Sequence, residues 1–451
     1  MIVFRARHRL LPLFGFALLA LGACQEDLSG GAACPTLCPG QQLEVHDTVL
    51  VADQVFDTTV VVDGMPPLGT ETNLLVARYA DAQGDSIVSG AVLRYDSLQR
   101  NFPRTDTTAP FVPVASVTSA SLQFTSTPDT AMIRDSVRFE VFDIDANVPD
   151  LDTATIHQLF LSRPALGTLN VKKDSVASLH VVPLDTAFIR QHVTSGTRVR
   201  LGVRLFSYGN GTTGNAQVGI TPITSTSSAT GTKTGPTLQY AGHAAAPATD
   251  SLTFVNYSAS KSSGGPEFKY LANYQLVLKG SPPTPSNVVA VGGLPSSRLY
   301  MRFTLPGALI DSSTTIVRAT LLLHQQGDPN FARVDSISLT PRVVVASPIV
   351  TDVSKAALLL ADPTTVPLLS VRVNPSETRV DTLVLVSKTA NLVTLWRAEG
   401  PNRMQRAIVL QSSGEGRDAR RFLLYTNASP VDSLRPRLHL TYIPRSGFGL
   451  P

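Results

Sequence analysis

Aromatic residues are scarce in this chain. Phenylalanine, tryptophan and tyrosine make up 6% of its 451 residues, and only one residue is a tryptophan. Exposed aromatic rings usually carry the binding of sugars, so the sequence offers few positions for such a site.

Basic clusters are scarce too: the formal charge is +4, and Arg5, Arg7 and Arg9 stand before an apolar run at the start. The rest of the chain is near neutral, which argues against a nucleic-acid surface.

Long apolar runs are confined to the leader. After residue 23, no segment reaches the ~18 apolar residues that a membrane-spanning helix needs. The leader itself places arginines before an apolar run from Leu10 to Leu21, as a secretory signal does. Its end, Leu21-Gly22-Ala23-Cys24, resembles a bacterial lipobox, in which cleavage precedes an acylated cysteine. The resemblance implies a signal peptide over residues 1–23 and a lipid anchor on Cys24; an ordinary cleaved signal is the alternative.

The residue after the cysteine bears on location. Gln25 occupies the position where aspartate favours retention in the inner membrane of Gram-negative bacteria. By that resemblance we expect a lipid-anchored protein of the outer membrane, on either its surface or its periplasmic face.

Cysteine is almost absent. Besides Cys24 the chain has only Cys34 and Cys38, within a stretch rich in alanine, glycine and proline. In an oxidising envelope we expect a local disulfide between them that stiffens a lipidated tether over residues 24–44. Three intervening residues, rather than two, argue against a redox centre, and the stretch has too few ligands for zinc.

Catalytic motifs are missing as well. The sequence contains no H-E-x-x-H, no G-x-S-x-G and no glycine-rich phosphate loop, and its eight histidines are dispersed. We therefore expect a protein that is not an enzyme. A hydrolase or lyase whose carboxylates converge only in the folded chain is the alternative.

Period-two alternation of apolar and polar residues is what the sequence has in abundance. It runs through residues 198–205, 317–324 and 437–442, with turn-forming residues between such runs. This pattern predicts half-buried antiparallel strands and an all-β fold.

The strand patterns recur at an offset near 200 residues. Residues 135–139 match 335–339, residues 236–238 match 436–438, residues 120–124 match 319–323, and residues 93–95 match 301–303. Four matches in one order predict a duplicated domain. We place the first domain at residues 45–242 and the second at residues 243–445.

The second domain resembles the disaggregatase-related family labelled DNRLRE. The residues that carry the resemblance are Tyr300 to Leu305, Ile316 to Leu323, Ser413-Gly414-Glu415 and Arg435 to Tyr442. The first domain matches more loosely and lacks the serine-x-glutamate element. The resemblance implies two tandem antiparallel jelly-roll-like β-sandwich domains, and some family members are carbohydrate-binding modules.

Two aromatic residues are candidates for glycan binding. Trp396 is flanked by charged residues, and Tyr208 adjoins a loop of glycine and asparagine. For each, a place in the core of the sandwich is the alternative.

Asp143, Asp145 and Asn147 put oxygen-bearing side chains at alternate positions, as calcium-binding loops do. Residues 148 and 154 are valine and alanine, where an EF-hand needs glycine and glutamate. A solvated acidic turn without a cofactor is the alternative to a calcium site.

Taken together, these patterns predict a lipid-anchored envelope module that binds polysaccharide and has membrane lipid as its other partner. A structural or adhesive protein whose sandwich faces contact other proteins is the alternative function.

If Cys24 carries the anchor, Cys24→Ala will abolish labelling with a radioactive or clickable fatty acid. The variant will also leave the membrane fraction, because each buried acyl methylene contributes ~0.8 kcal/mol of membrane affinity. Membrane fractionation after a salt wash measures this release. A variant that stays tightly bound would show that another segment anchors the protein.

Overall fold

The computed structural model describes most of the chain after residue 44. The described residues are 45–59, 71, 73–81, 84–96, 98–103, 107, 110–128, 133, 135–209, 212–221, 235–245, 251–258, 273–310, 314–328, 336–343, 371–375, 378–384 and 407–444. Residues 45–451 belong to one compact unit. In the described part, no helix is both long and apolar enough to cross a membrane.

The first sandwich is a 12-stranded antiparallel system built from β3 to β14. Its strands are β3 (Leu74–Asp81), β4 (Gly84–Tyr95), β5 (Val114–Pro128), β6 (Ser136–Asp143), β7 (Ala165–Lys172), β8 (Leu179–Pro183), β9 (Val199–Gly209), β10 (Thr212–Gly214), β11 (Ala216–Ile220), β12 (Thr237–Ala244), β13 (Ser251–Tyr257) and β14 (Tyr274–Lys279).

The second sandwich is an 11-stranded antiparallel system that combines β15 to β23 with two strands from the start of the chain. Its strands are β1 (His46–Val51), β2 (Gln54–Thr59), β15 (Val288–Gly292), β16 (Ser297–Arg302), β17 (Thr314–Gln326), β18 (Ile337–Val343), β19 (Val371–Val373), β20 (Arg379–Val384), β21 (Ala407–Ser412), β22 (Arg421–Tyr425) and β23 (Arg437–Pro444).

Within the described ranges, three short α-helices interrupt the strands: α1 (Thr153–Ser162), α2 (Thr186–Ser195) and α3 (Gly307–Ile310). Asp152 and Asp185 cap the first two by accepting hydrogen bonds from backbone N–H groups of the first turn. Gly196 ends α2 in the left-handed conformation, with φ of 69°, which glycine adopts without steric cost. The prediction of an all-β fold with antiparallel sheets is nevertheless confirmed, because strands form nearly all of the regular structure.

Alternation along the strands builds the two cores. In β9, Val199, Leu201, Val203 and Leu205 are fully buried in the first core. In β23, Leu438 and Leu440 lie in the second core, while His439 between them is exposed. The predicted inward faces of both segments are therefore confirmed. β9 is not half-buried as predicted, however, because Arg200 and Gly202 on its other face are buried as well.

One predicted face is wrong. The alternation in β17 places Val317 with Ala319 on the inward side, but Val317 is 49% exposed and Ile316 is buried instead. The cause is a shift in the register of β17 against β23 between Ile316 and Arg318. An extra residue at a bulge turns the side chains that precede it to the other face.

The two sandwiches share one strand order. The first reads β13-β12-β5-β11-β3-β4-β9-β6-β7, and the second reads β1-β23-β17-β22-β15-β16-β21-β18-β19. Two strands outside each path correspond as well: β8 pairs with β5 as β20 pairs with β17, and β14 pairs with β4 as β2 pairs with β16. β10, which pairs with β9, has no counterpart among the described strands of the second sandwich.

The pairing register is shared too. Leu122 lies opposite Leu238 in the first sandwich, and Leu321 lies opposite Leu438 in the second. These are positions that the sequence repeat equates. The predicted internal repeat therefore agrees with the pairing of the strands.

The predicted domain boundaries need correction. Residues 46–59 were assigned to the first domain, but β1 pairs with β23 and β2 pairs with β16 of the second sandwich. Residues 251–279 were assigned to the second domain, but β13 pairs with β12 and β14 with β4. Backbone hydrogen bonding thus places the division near residue 280 instead of between 242 and 243, and the chain's first two strands complete its last sandwich.

This arrangement predicts which core a substitution in the segment after β1 will disturb. Ala52 is 4% exposed in the second core, so Ala52→Asp will bury a carboxylate and cost about 3 kcal/mol or more. Hydrogen exchange will then increase in β23 and β17 before β12 and β5.

Val49→Asp is the matched control, because Val49 is 45% exposed on the neighbouring strand. We expect it to cost under about 1 kcal/mol. Loss of protection in β12 while β23 stays protected would contradict the assignment of these residues to the second sandwich.

Candidate functional site

The predicted acidic turn is built around a buried arginine. β6 ends at Asp143, and the following residues surround the guanidinium of Arg200, whose side chain is 1% exposed. Arg200 donates through Nε to the carbonyl of Ile144 at 3.0 Å and through Nη2 to the carbonyl of Val148 at 2.9 Å. Its Nη1 lies 2.5 Å from Oδ1 of Asp150, which neutralises the buried charge.

Tyr274 ties β14 to the same turn. Its hydroxyl donates to Oδ1 of Asp150 at 2.9 Å. Burial, and then the negative charge of Asp150, raise the pKa of Tyr274 far above its usual range. The hydroxyl therefore remains protonated, and the contact links β14 to the turn after β6.

The candidate calcium ligands hold the turn together. Asp143 forms an ion pair with Arg163 at 3.0 Å, although burial raises the pKa of Asp143 above its usual value. Asp145 accepts hydrogen bonds from the backbone N–H and the side-chain amide of Asn147, at 2.9 and 3.0 Å. Among the described residues, no group of three or more histidines, cysteines or acidic side chains could hold a metal ion. The structure thus gives the carboxylates of Asp143 and Asp145 partners within the protein and does not gather the three side chains as a ligand set.

The structure does not describe the side chains of the other candidate site residues. Cys24, Cys34, Cys38 and Trp396 fall outside the described residues. Tyr208 is described only by its backbone, which pairs with Ser136 of β6 and Thr213 of β10.

A cluster of arginines around one aromatic ring stands out on the first sandwich. The guanidinium carbons of Arg78, Arg138 and Arg204 lie 3.8, 5.1 and 4.9 Å from the ring centroid of Phe206. Glu140 forms ion pairs with Arg138 at 2.7 Å and Arg204 at 3.1 Å. We call these five residues the arginine cluster. Stacking of guanidinium groups on a ring is favourable and keeps them within a small area.

The sheet and helix α1 fix the cluster in place. Arg204 and Phe206 lie on the polar face of β9, and the backbone carbonyl of Phe160 in α1 accepts a hydrogen bond from Nη1 of Arg204 at 3.0 Å. A Cβ atom on Gly202 would lie 2.6 Å from the ring of Phe160. Glycine at that position therefore lets α1 approach the sheet closely enough to support Arg204.

The chemistry of the cluster is that of an anion-binding surface. A guanidinium stacked on a ring keeps its N–H donors in its own plane, where they match the two oxygens of a carboxylate or sulfate. The side chain of Arg138 is 35% exposed and that of Arg204 is 17% exposed, so solvent reaches both. The cluster contains three cations and one carboxylate.

Sequence reasoning found only part of this surface. The alternation in residues 198–205 places arginines opposite valine and leucine, and Arg200 and Arg204 do lie away from the core formed by those residues. The pairing of β6 with β9 that brings Arg138 opposite Phe206 depends on the register of strands distant in sequence, which the chain's local pattern does not contain.

A concave region lies between the two sandwiches. It has a cavity volume of about 430 Å³ and is lined by residues of β3, β5 and β11 on one side and of the segment 414–420 on the other. Gln217 organises its floor, because its Oε1 accepts hydrogen bonds from the hydroxyl of Tyr79 at 2.8 Å and the backbone N–H of Ala419 at 3.2 Å. Asp418 forms a 2.5 Å ion pair with Arg420 beside it.

The serine-x-glutamate element has a structural role in the second sandwich. Glu415 accepts two hydrogen bonds from Arg298, at 2.9 and 2.8 Å, and the arginine side chain is 2% exposed. A bidentate pair of this kind fixes the turn after β21 against β16.

Comparisons with known proteins do not identify the chain. No family model matches it, and no curated protein matches it. Among solved structures it is similar to a protein of Parabacteroides distasonis ATCC 8503 that is provisionally described as secreted. The identity is 8%, the match covers 89% of this chain and 100% of that chain, and the TM-score is 0.23. A TM-score of this size does not establish a shared fold, and the resemblance to the DNRLRE family stays a prediction.

The buried pair of Arg200 and Asp150 predicts strong coupling between two substitutions. Arg200→Met will leave a buried carboxylate without its cation and cost about 3 to 5 kcal/mol of unfolding free energy. Adding Asp150→Asn to that variant will recover part of the loss, because the uncompensated charge is gone.

Urea unfolding of the two single variants and the double variant measures this coupling. Strictly additive losses would contradict a direct interaction between the two side chains.

Proposed function

We propose that the protein is a non-catalytic module of the cell envelope that binds acidic polysaccharide through the arginine cluster. The observation that carries this proposal is the presence of three guanidinium groups within 5.1 Å of one ring centroid, with Glu140 as the carboxylate among them. Uronate and sulfate groups are the parts of a glycan that such donors bind in a bidentate manner.

The ring of Phe206 favours a charged glycan over a neutral one. A neutral sugar stacks its apolar face on an open aromatic ring, whereas Arg78 already lies 3.8 Å from the centroid of Phe206. The donors around the ring, more than the ring itself, are therefore the groups that a ligand meets.

The location within the proposal rests on the sequence. The leader and Leu21-Gly22-Ala23-Cys24 support export and lipid anchoring, and Gln25 supports the outer membrane. A module held at that membrane would meet polysaccharides of the cell surface.

The decisive experiment compares two substitutions that remove the same charge. Arg138→Gln removes one guanidinium of the arginine cluster; of the two arginines paired with Glu140, Arg138 is the more exposed. Arg190→Gln is the control and lies on the exposed surface of α2. The probes are polygalacturonate as the acidic glycan and dextran as the neutral one, with affinity measured by calorimetry.

We expect Arg138→Gln to weaken polygalacturonate binding by about tenfold, since a hydrogen bond to a charged group contributes about 1.5 to 3 kcal/mol. Arg190→Gln should change it less than twofold, and dextran should not bind. Equal effects of the two variants, or equal binding of dextran, would overturn the proposal.

The alternative function, a structural or adhesive protein, is favoured by a different surface. Four exposed apolar side chains lie on one side of the first sandwich, along β8 and β13: Leu179 at 60%, Val181 at 45%, Val255 at 38% and Tyr257 at 41%. Apolar side chains exposed together mark contact sites for other proteins. Glycan binding that persists when Val181 and Tyr257 are replaced by serine would separate this surface from the arginine cluster.

A further inference from the structure

β1 and β2, which we call the terminal strand pair, fill two edges of the second sandwich. β1 pairs with β23 over six residues, from His46 opposite Tyr442 to Val51 opposite Arg437. β2 pairs with β16 over another six residues, from Gln54 to Thr59. The edges of β23 and β16 that receive these strands form a slot for the terminal strand pair.

Side chains make the slot specific for this segment. The ring of His46 stacks on Tyr442 with centroids 5.3 Å apart, and the hydroxyl of Thr441 donates to Oδ1 of Asp47 at 2.6 Å. Ala52 is buried in the second core, and Leu50 packs against it.

The short link between the two strands is held as firmly. The backbone N–H of Asp53 donates to the carbonyl of Arg302 at 2.9 Å. Its carboxylate accepts from the hydroxyl of Thr304 at 2.6 Å, and its carbonyl accepts from the side chain of Asn427 at 3.0 Å. Residues 46–59 therefore carry their own recognition of the slot.

The equivalent slot of the first sandwich is filled in a different way. There β13 and β14 take the places of β1 and β2, but β13 begins at Ser251, soon after β12 ends at Ala244. In the second sandwich the paired residues Asp47 and Thr441 are 394 positions apart. The first sandwich closes with strands that follow it directly, whereas the second closes with strands joined to the rest of the chain only through residues 60–72.

We propose that the slot of the second sandwich also accepts the terminal strand pair of a second copy of this chain, so that the protein forms strand-exchanged dimers. A second copy brings the same residues 46–59, so every contact described above forms again between chains. Exchange of an identical element is a low-cost route to a dimer for this reason. The connecting residues 60–70 reach up to about 40 Å when extended, as far as Glu71, whose carboxylate accepts a hydrogen bond from the backbone N–H of Gln275 at 3.1 Å. That reach lets the strand pair leave its own sandwich for a neighbouring one.

The experiment uses two populations of residues 41–451, a stretch that includes the whole compact unit and has no native cysteine. One population carries Val49→Cys and the other carries His439→Cys, at positions that face each other in the pair of β1 and β23. The mixed populations are incubated below the melting temperature and treated with a short bismaleimide. The bismaleimide forms a covalent dimer when β1 of one chain pairs with β23 of the other, because the two cysteines then lie opposite each other.

The matched control uses the first sandwich. Val255→Cys and Gln239→Cys face each other in the pair of β13 and β12, where the strands are neighbours in the chain. A chain with both Val49→Cys and His439→Cys shows that the two positions react within one molecule.

We expect at least about tenfold more covalent dimer from the mixture at positions 49 and 439 than from the mixture at positions 255 and 239. Its yield should rise with protein concentration. Equal yields from the two mixtures, or reaction confined to the doubly substituted monomer, would overturn the proposal.

Discussion

Backbone hydrogen bonding between the first and last strands of the chain is the constraint on which the rest of the structure depends. Without β1 and β2, the N–H and C=O groups along one edge of β23 and one edge of β16 would lack the partners that they have here. Such edges are costly when buried and prone to aggregation when exposed. The second sandwich is therefore complete only when residues from both ends of the chain have met, while the first draws all its strands from residues 74–279.

Buried arginines then fix the loops on both sandwiches. Arg200 holds the turn after β6 through three backbone carbonyls and Asp150, and Arg298 holds the turn after β21 through Glu415. Arg421 in β22 adds a 2.9 Å ion pair with Asp328 after β17. A buried charge is tolerated when its partner and its remaining hydrogen bonds are satisfied, and this condition makes the loops around each arginine well determined. These loops contain the acidic residues that resemble a calcium-binding motif in the sequence, and the serine-x-glutamate element.

The sequence predicted what depends on local pattern. Alternation identified the inward faces of β9 and β23, and the recurring segments identified positions that the strand pairing also equates. The helix α1 was missed, although Asp152 stands as its N-cap, because ten residues between two strands give little periodic signal.

Val317 was placed inward because a bulge cannot be read from alternation. The domain boundary was misplaced because nothing in the local pattern of residues 46–59 indicates that the partners of β1 and β2 lie in β23 and β16, far along the chain. The candidate calcium ligands resemble a loop motif, but their partners, Arg163 among them, come from later in the chain.

β1, the first described strand of the chain, belongs to the second sandwich. Nitroxide labels on cysteines at positions 49 and 439 of residues 41–451 test it directly. Opposed residues of an antiparallel pair have Cα atoms about 4.5 to 5.5 Å apart, so the account predicts strong dipolar broadening in the continuous-wave spectrum of the doubly labelled protein. A spectrum equal to the sum of the two singly labelled spectra would contradict it.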